Sequence, residues 1–287
     1  MSSLVYLNGE FLPLEEAKIS PIDRGFLFAD GIYEVSAVLE GKMIENGPHM
    51  ARLDRSLKEI AMDVPWSMDE VAAIMQEVAT RNEITEGMVY LQITRGADWD
   101  KVRDFGFPKN PKPTIFMFGQ HKNLSADPAA EKGIRVITIP EIRWERRDIK
   151  SVALLAQTLG KQAAKDAGVD DAWMVEDGLI TEGTSNSAFI ITDNNELIAR
   201  PLTNEILPGI TRIAVLKLAA EMQLKVVEGK FDPEQAYKAK EAFSTSASAL
   251  VAPVVEIDGH KIGNGKPGQY TKRLRELYLE EARKSIA

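Results

Sequence analysis

Four short stretches of this chain carry the side chains that could do chemistry: RWERRDIKSVALL at 143–155, TEGTSN at 181–186, LPGITR at 207–212 and FSTSAS at 243–248. The first stretch places Lys150 between a charged run and a mostly apolar run. A lysine at the end of a charge run is usually a solvated cation, whereas a desolvated lysine is a reactive amine that can form a Schiff base. The position of Lys150 alone leaves both interpretations open.

The other three stretches offer a carboxylate and anion-binding groups. A helix beginning at Ile210 and Thr211 presents backbone N–H groups and the positive end of its dipole to an anion. FSTSAS adds hydroxyls after a predicted strand, and TEGTSN places Glu182 at a predicted strand end. Each stretch alone is also typical of an ordinary turn. With Lys150 they form the set that pyridoxal phosphate needs: an amine for the aldehyde, donors for the phosphate and a carboxylate for the ring nitrogen.

The composition argues against several other kinds of site. The 287 residues include no cysteine, which excludes disulfides, thiolate metal sites and cysteine nucleophiles. The histidines at 49, 121 and 260 lack metal-ligand spacing, so we expect no bound metal. The net charge of −8 argues against nucleic-acid binding. With no signal-peptide pattern and no window long enough for a membrane span, we expect a cytoplasmic protein without a membrane partner.

The scaffold that must position these residues is predicted to be mixed. Asn8-Gly9 and Glu40-Gly41 each separate two apolar runs, which predicts two β-hairpins. Ser67 and Glu70 form a capping box before an apolar run at helical spacing. Further helices are predicted at 48–62, from Lys150 to about Ala167 with Gly168 as its C-terminal cap, at 210–222 and from Thr271 onward. Because strands and helices mix without strict βαβ alternation, the pattern favours the α+β class.

One polar segment predicts the domain organisation. At 122–133 the apolar signal stops, and the sequence KNLSADPAAEKG is polar with a proline and a terminal glycine. Such composition is typical of an interdomain linker. We therefore expect an N-terminal domain at 1–121, a linker at 122–133, and a C-terminal domain at 134–287 that carries Lys150.

The motifs taken jointly resemble a known family along nearly the whole chain. They are VYLNGEF, DRGFLFADGIYEV, RLDRSL, VYLQITRG, RWERRDIKS, TEGTSN, LPGITR and GKPGQYTKRL. This set resembles the fold-type IV pyridoxal-phosphate aminotransferases, especially the bacterial D-amino acid aminotransferases. The resemblance implies a smaller N-terminal α/β domain, a larger C-terminal domain with a pseudo-barrel, and a homodimer with shared active sites. It also implies amino transfer from a D-amino acid to a 2-oxo acid such as 2-oxoglutarate or pyruvate.

The resemblance assigns roles to residues around the cofactor ring and the substrate. Lys150 is similar to the Schiff-base lysine, which carries a proton between the substrate Cα and the cofactor. Glu182 is similar to the partner of the pyridine nitrogen, and Leu207 to the residue that packs on the ring. Tyr33 is similar to the active-site tyrosine near the substrate carboxylate.

The resemblance also assigns the phosphate ligands. Arg52 is similar to the arginine that grips the phosphate, and Ile210 and Thr211 to the backbone donors at the helix start. Ser246 is similar to one phosphate hydroxyl. The neighbouring family threonine is Ala247 here, so one hydroxyl of the usual set is missing.

The segment after TRG departs from the family pattern. The D-amino acid enzymes carry PRAH there, whose arginine and histidine trap the substrate carboxylate, whereas this chain reads ADWDKVRDFGFP. Arg103 is the arginine of that segment and the candidate substitute, with Lys101 as the other cation. The altered segment leaves open an (R)-selective amine transaminase or a dual activity. A branched-chain aminotransferase, an aminodeoxychorismate lyase and a non-catalytic pyridoxal-phosphate-binding protein are further alternatives.

Overall fold

The structure is a computed structural model that describes residues 3–286, and its packing divides into two units. The first unit contains the described part of Met1–Asn123, with Ile149–Ala153 and the end of the chain. The second contains Leu124–Asp148 and Leu154–Lys284. The predicted domains at 1–121 and 134–287 and the linker at 122–133 stay predictions. They assign Lys150 to the C-terminal domain, whereas packing groups the segment around Lys150 with the first unit.

Six strands form the sheet of the first unit: β1 Leu4–Leu7, β2 Glu10–Pro13, β3 Gly31–Leu39, β4 Lys42–Met43, β5 Glu86–Thr94 and β6 Thr114–His121. They lie in the order β2-β1-β6-β5-β3-β4, and all the pairings are antiparallel. Both predicted hairpins are confirmed, because Leu7 pairs with Glu10 and Leu39 with Lys42. Their turn residues have the positive φ angles that tight hairpin turns require.

The helices of the first unit are α1 Arg24–Phe28, α2 Asn46–Glu59 and α3 Met68–Arg81, and Leu14–Glu16 forms a 3-10 turn. The predicted capping box is present, since Ser67 Oγ accepts the Glu70 N–H and the Glu70 carboxylate accepts the Ser67 N–H. Leu53 and Val71 are fully buried in one apolar cluster with residues of the sheet. Helix α2 also buries the polar side chains of His49 and Arg52. Apolar packing does not explain these two buried residues, so this face of the helix is a candidate for a functional role.

The second unit contains a mixed sheet of nine strands. They are β7 Ile134–Pro140, β8 Asp171–Glu176, β9 Leu179–Gly183, β10 Ser187–Ile191, β11 Glu196–Ala199, β12 Lys225–Glu228, β13 Glu241–Ser246, β14 Leu250–Ile257 and β15 His260–Lys261. Their order is β12-β11-β10-β13-β14-β7-β8-β9, with β15 paired to β14. The β11–β12, β14–β7 and β7–β8 pairs are parallel and the others antiparallel. The predicted α+β class is confirmed.

The remaining helices are α4 Pro128–Lys132, α5 Leu155–Asp166, α6 Ile210–Glu221, α7 Pro233–Tyr237 and α8 Gln269–Ile286. Helix α4 lies inside the segment predicted as a linker, and the Asp127 carboxylate caps it by accepting the Ala129 N–H. Trp173 and Phe231 are fully buried in the apolar cluster of the sheet. Their rings meet edge to face with centroids 6.3 Å apart.

One sequence expectation about this region is wrong. The helix predicted to run from Lys150 begins only at Leu155, and it ends as expected before Gly168, whose φ is 70°. Residues 149–153 instead run beside β3, where the Tyr33 N–H donates to the Lys150 carbonyl at 2.9 Å and the Val152 N–H to the Gly31 carbonyl at 3.1 Å. The Ser151 N–H also donates to the Ile149 carbonyl at 2.8 Å, which closes a tight three-residue turn centred on Lys150. Lys150 is therefore held against β3 in a turn and does not lie in a helix.

Candidate active site

Lys150 lies where the segment 149–153 runs beside β3. Its Nζ atom lies 4.1 Å from the centroid of the Tyr33 ring, and that ring stacks on Tyr90 with centroids 5.7 Å apart. Among residues 3–286, no carboxylate lies within ion-pair distance of Lys150 Nζ. An amine over an aromatic face and without a carboxylate partner is available for covalent chemistry and proton transfer. The structure thus brings Lys150 and Tyr33 together.

Arg52 belongs to a buried polar cluster between α2 and β3. Its Nε donates to Glu34 Oε1 at 2.7 Å and its Nη2 to Glu34 Oε2 at 2.8 Å. His49 Nδ1 lies 2.8 Å from the same Oε2. Burial alone would raise the pKa of Glu34, but the charge and hydrogen bonds of Arg52 outweigh it and hold that pKa well below its usual range. Glu34 is therefore ionised at neutral pH and fixes the plane of the Arg52 guanidinium.

Arg103 lies on an exposed loop, and its guanidinium carbon is 5.7 Å from the centroid of the Phe105 ring. Arg24 holds the backbone of this loop, because its Nη1 donates to the carbonyls of Asp104 at 2.6 Å and Gly106 at 3.2 Å. The Arg24 side chain is 5% exposed. Sequence reasoning missed Arg24, because a lone arginine in DRGF carries no sign of a contact with a loop some 80 residues later.

Glu182 is buried in β9 of the second unit. Arg143 Nη1 donates to Glu182 Oε1 at 2.5 Å, and the Leu207 N–H lies 3.3 Å from each carboxylate oxygen. Burial raises the pKa of Glu182, and the charge and hydrogen bond of Arg143 offset this only in part. Glu182 therefore binds a proton more readily than an ordinary glutamate. The structure brings Glu182 and Leu207 together, and their roles toward the cofactor stay predictions.

Arg143 joins Glu182 to a second buried carboxylate. Its Nε donates to Glu141 Oε1 at 2.9 Å and its Nη2 to Glu141 Oε2 at 2.5 Å, while Thr181 Oγ1 donates to Glu141 Oε2 at 2.8 Å. Burial opposes the charged form of Arg143, but both carboxylates outweigh it and raise the pKa of the guanidinium. Sequence reasoning missed Glu141 and Arg143 by taking RWERR as a charge run. Their position directly after a predicted strand was the available signal.

Three of the predicted phosphate ligands, Ile210, Thr211 and Ser246, lie in the second unit. Helix α6 begins at Ile210 and Thr211 after Gly209, which brings no side chain to cap the first turn. A Cβ atom at Gly209 would lie 3.0 Å from Ser187 Oγ, so the close approach of this turn favours glycine. Ser246 ends β13, and its Oγ accepts the Ala249 N–H at 3.2 Å. An uncapped helix start and a hydroxyl are donors that suit a phosphate group, so these residues fit the phosphate of pyridoxal phosphate.

Within 3–286, His, Cys, Asp and Glu side chains form no group of three or more that could hold a metal ion. In the same part of the chain, all the helices are too short or too polar to cross a membrane.

Comparison with known sequences gives a match over most of the chain. The profile of the family described as "Amino-transferase class IV" matches residues 31–257. The D-alanine aminotransferase of Bacillus licheniformis is 36% identical over 286 residues, which cover 98% of this chain and 99% of the relative. The D-alanine aminotransferase of Staphylococcus aureus (strain MSSA476) is 36% identical over 273 residues, 95% of each chain.

Comparison with solved structures gives the same fold. The Escherichia coli branched-chain amino acid aminotransferase superposes with a TM-score of 0.88 at 24% identity, over 98% of this chain and 95% of the other. The T.th. branched-chain amino acid aminotransferase, solved with pyridoxamine 5′-phosphate, superposes with a TM-score of 0.86 at 27% identity, over 98% and 94%. The predicted fold-type IV architecture is confirmed by these likenesses.

Proposed function

Because this chain belongs to the class IV aminotransferases, and is therefore an aminotransferase, we propose that it moves the amino group of D-amino acids to 2-oxo acids with pyridoxal phosphate as its cofactor. Two relatives named D-alanine aminotransferase, each 36% identical over 95% or more of the chain, support the donor class. The structure solved with pyridoxamine 5′-phosphate supports the cofactor. The proposed acceptors are 2-oxoglutarate and pyruvate.

The observation that carries this proposal is the Lys150 amine, held by β3 and lying 4.1 Å from the Tyr33 ring centroid. Pyridoxal phosphate, when bound, supplies an aldehyde carbon that exchanges amines and a ring that accepts the electron pair left on the substrate Cα. Lys150 Nζ takes the proton from the substrate Cα, and it returns a proton there when a 2-oxo acid is the substrate. A fixed backbone keeps the amine within reach for both transfers.

The other residues bind and orient. Glu182 would hold the ring nitrogen, and Leu207 would pack on the ring. Arg52, whose guanidinium plane is fixed by Glu34, would bind the phosphate as a charged donor. Further phosphate donors and the substrate-facing groups complete the proposed set: Ile210, Thr211 and Ser246 for the phosphate, and Tyr33 and Arg103 for the substrate.

The role of Lys150 is tested by reducing the loaded enzyme with borohydride and mapping the labelled peptide. The cofactor should be fixed to the peptide that contains Lys150, and Lys150→Ala should lose amino transfer. Lys161→Ala is the matched control, because Lys161 pairs with Asp171 at 3.0 Å and should stay active. A label on any other lysine overturns the assignment.

The donor class is tested by a panel that follows 2-oxo acid formation with 2-oxoglutarate or pyruvate as acceptor. We expect the highest kcat/KM with D-alanine or D-glutamate. L-Leucine tests a second candidate, since the T.th. structure at 27% identity is that of a branched-chain amino acid aminotransferase. (R)-1-Phenylethylamine tests the amine-transaminase alternative. A preference for either of these two donors rejects the D-amino acid proposal, and no product from any donor favours a lyase or a binding protein.

The homodimer with shared active sites and the cytoplasmic location are further parts of the proposal, supported by the family resemblance. Sedimentation equilibrium of the loaded enzyme should give twice the chain mass of 31.8 kDa. A single species of one chain mass contradicts the dimer.

A further inference from the structure

The two oxygens of the Glu182 carboxylate are unequally bound. Oε1 accepts the Arg143 Nη1–H at 2.5 Å and faces the Leu207 N–H at 3.3 Å. Oε2 has, among the donors of residues 3–286, only the Leu207 N–H at 3.3 Å. A carboxylate oxygen has room for more than one hydrogen bond, so Oε2 is the oxygen able to accept a further strong donor.

Arg143 itself cannot move away from Glu182. Two of its nitrogens are held by Glu141 at 2.9 and 2.5 Å, and its side chain is only 6% exposed. Glu141 in turn accepts a hydrogen bond from Thr181 at 2.8 Å, and its side chain is fully buried. The guanidinium is therefore a fixed positive charge in contact with Oε1.

Three charged groups act on the Glu182 carboxylate. Arg143 favours its ionised form, and the charge of Glu141 opposes it. Arg212 on α6 is buried and attracts it electrostatically at longer range. Burial raises the pKa of Glu182 and so pulls in the direction of the neutral acid. Whether Glu182 stays a carboxylate thus depends on its contact with Arg143.

The balance between burial and the charge of Arg143 decides whether a proton between Glu182 and a ring nitrogen lies on the carboxylate or on the nitrogen. When a buried carboxylate meets a protonated ring nitrogen, the proton stays on nitrogen or moves to the carboxylate and leaves two neutral groups. A low dielectric favours the neutral pair. A cation that contacts the carboxylate lowers its basicity and favours the charged pair.

On the basis of the proposed function, we propose that Arg143 is a positioning residue that keeps the proton on the ring nitrogen of the cofactor by holding Glu182 as a carboxylate. Without Arg143, that proton moves from the ring nitrogen to Glu182 Oε2, and no other species is needed. The ring then accepts electron density less readily, and removal of the substrate Cα proton slows.

Arg143 could instead act only by holding Glu141 and Glu182 in place, and its removal would then also slow the reaction. The test therefore observes the proton directly. Cofactor labelled with ¹⁵N at the ring nitrogen is bound to each folded variant, and its NMR resonance is compared with free cofactor in acid and in alkali. The variants are Arg143→Gln, Glu141→Gln and, as a matched control, Arg147→Gln. Arg147 is 4% exposed, pairs with Glu176 at 2.5 Å and lies 3.8 Å from Glu141 Oε2, but no ion pair joins it to Glu182 within the described residues. It therefore controls for the loss of a buried positive charge beside Glu141 that does not touch Glu182.

Wild type and Arg147→Gln should show the protonated resonance at neutral pH. Arg143→Gln should move it more than halfway to the unprotonated position and lower kcat at least tenfold. Glu141→Gln should act in the opposite sense, because Arg143 then serves Glu182 alone, and should raise the pH at which the ring nitrogen loses its proton. Since this variant keeps Arg143, it tests the inference even if Arg143→Gln does not fold.

An unmoved resonance in folded Arg143→Gln overturns the inference, as does an equal movement in Arg147→Gln or an unchanged titration in Glu141→Gln. These outcomes leave the proposed function standing, provided that wild type transfers amino groups. Absence of a bound-cofactor resonance and of amino transfer in wild type would instead overturn the proposed function itself.

Discussion

Each of the two units buries a glutamate against an arginine, and the two pairs are built differently. Glu34 receives two hydrogen bonds from one guanidinium, at 2.7 and 2.8 Å. Glu182 receives one, at 2.5 Å, because the other nitrogens of Arg143 serve Glu141. Burial works against the charged form of both carboxylates, yet it prevails only at Glu182, where the pKa is raised, whereas Arg52 lowers the pKa of Glu34.

The comparison shows that the sharing of an arginine decides what a buried carboxylate can do. A carboxylate that accepts two hydrogen bonds from one guanidinium is held in its charged form and serves to orient that arginine. A carboxylate that shares a guanidinium with another keeps some affinity for a proton and can take part in proton chemistry. On this basis we infer that Glu34 orients Arg52, the proposed phosphate ligand, and that Glu182 suits its proposed role beside a ring nitrogen that titrates.

The largest expected effect comes from breaking the pair of Glu34 and Arg52. Glu34→Gln removes the buried carboxylate that accepts two hydrogen bonds from Arg52, so we expect the free energy of unfolding to fall by about 3–5 kcal/mol. Urea and thermal unfolding of the cofactor-free protein measure it. Glu77→Gln is the control, because Glu77 pairs with Arg81 at 2.7 Å with both side chains 45% exposed. It should change stability by no more than about 0.5 kcal/mol. Equal losses in the two variants would contradict the role of Glu34 in orienting Arg52.

Breaking the shared pair should act on rate more than on stability. In Glu182→Gln, Arg143 keeps Glu141 as a partner, so the loss of stability should be smaller than in Glu34→Gln. A neutral amide cannot hold the ring nitrogen protonated, and single-turnover proton transfer should slow by about 100-fold, or ~2.7 kcal/mol of barrier. A rate equal to wild type contradicts the role of Glu182.

The sequence predicted most of the scaffold of these two pairs because local patterns specify it. Two hairpins, the Ser67 capping box and the helix at Ile210 follow from turn residues, caps and apolar spacing, and all are present. Lys150 was predicted to start a helix, but its segment pairs with β3, more than 100 residues earlier in the chain. Apolar periodicity carries no information about such pairing, so tertiary contacts overrode the local signal.

The site residues also divide into those that sequence motifs predicted and those that only tertiary contacts reveal. Lys150, Glu182 and Arg52 were predicted through motif resemblance, and their roles stay predictions. Glu34, which binds Arg52, and Glu141 and Arg143, which act on Glu182, were not predicted. Their function depends on contacts between side chains distant in sequence, Arg143 with Glu182 at 2.5 Å and Arg52 with Glu34 at 2.7 Å. Nothing in single-residue spacing distinguishes such an arginine from a solvated one.

The pH dependence of stability should separate the two pairs by sign. The folded pKa of Glu34 is lowered, so its stabilisation is present above the ordinary glutamate value of about 4.3 and is lost as pH falls through the folded pKa. The folded pKa of Glu182 is raised, so wild type gains stability as pH falls through that value toward about 4.3. Unfolding free energies measured against pH for wild type, Glu34→Gln and Glu182→Gln should give difference curves of opposite slope. Parallel curves contradict the distinction.

The smallest expected effect concerns a third kind of arginine, which is exposed and has an aromatic ring for a neighbour. Arg103 lies over Phe105 at 5.7 Å, in a loop that also carries Asp98, Asp100 and Asp104. If Arg103 binds the substrate carboxylate, Arg103→Ala should raise KM for D-alanine by about fivefold, since an exposed ion pair contributes ~1 kcal/mol or less. The rate with (R)-1-phenylethylamine, which has no carboxylate, should stay unchanged, and so should Tm. Lys101→Ala is the control, because Lys101 pairs with Asp104 at 3.5 Å within the loop. Equal changes with both substrates, or none with either, reject Arg103 as the carboxylate ligand and leave it as a surface residue, unlike Arg52 and Arg143.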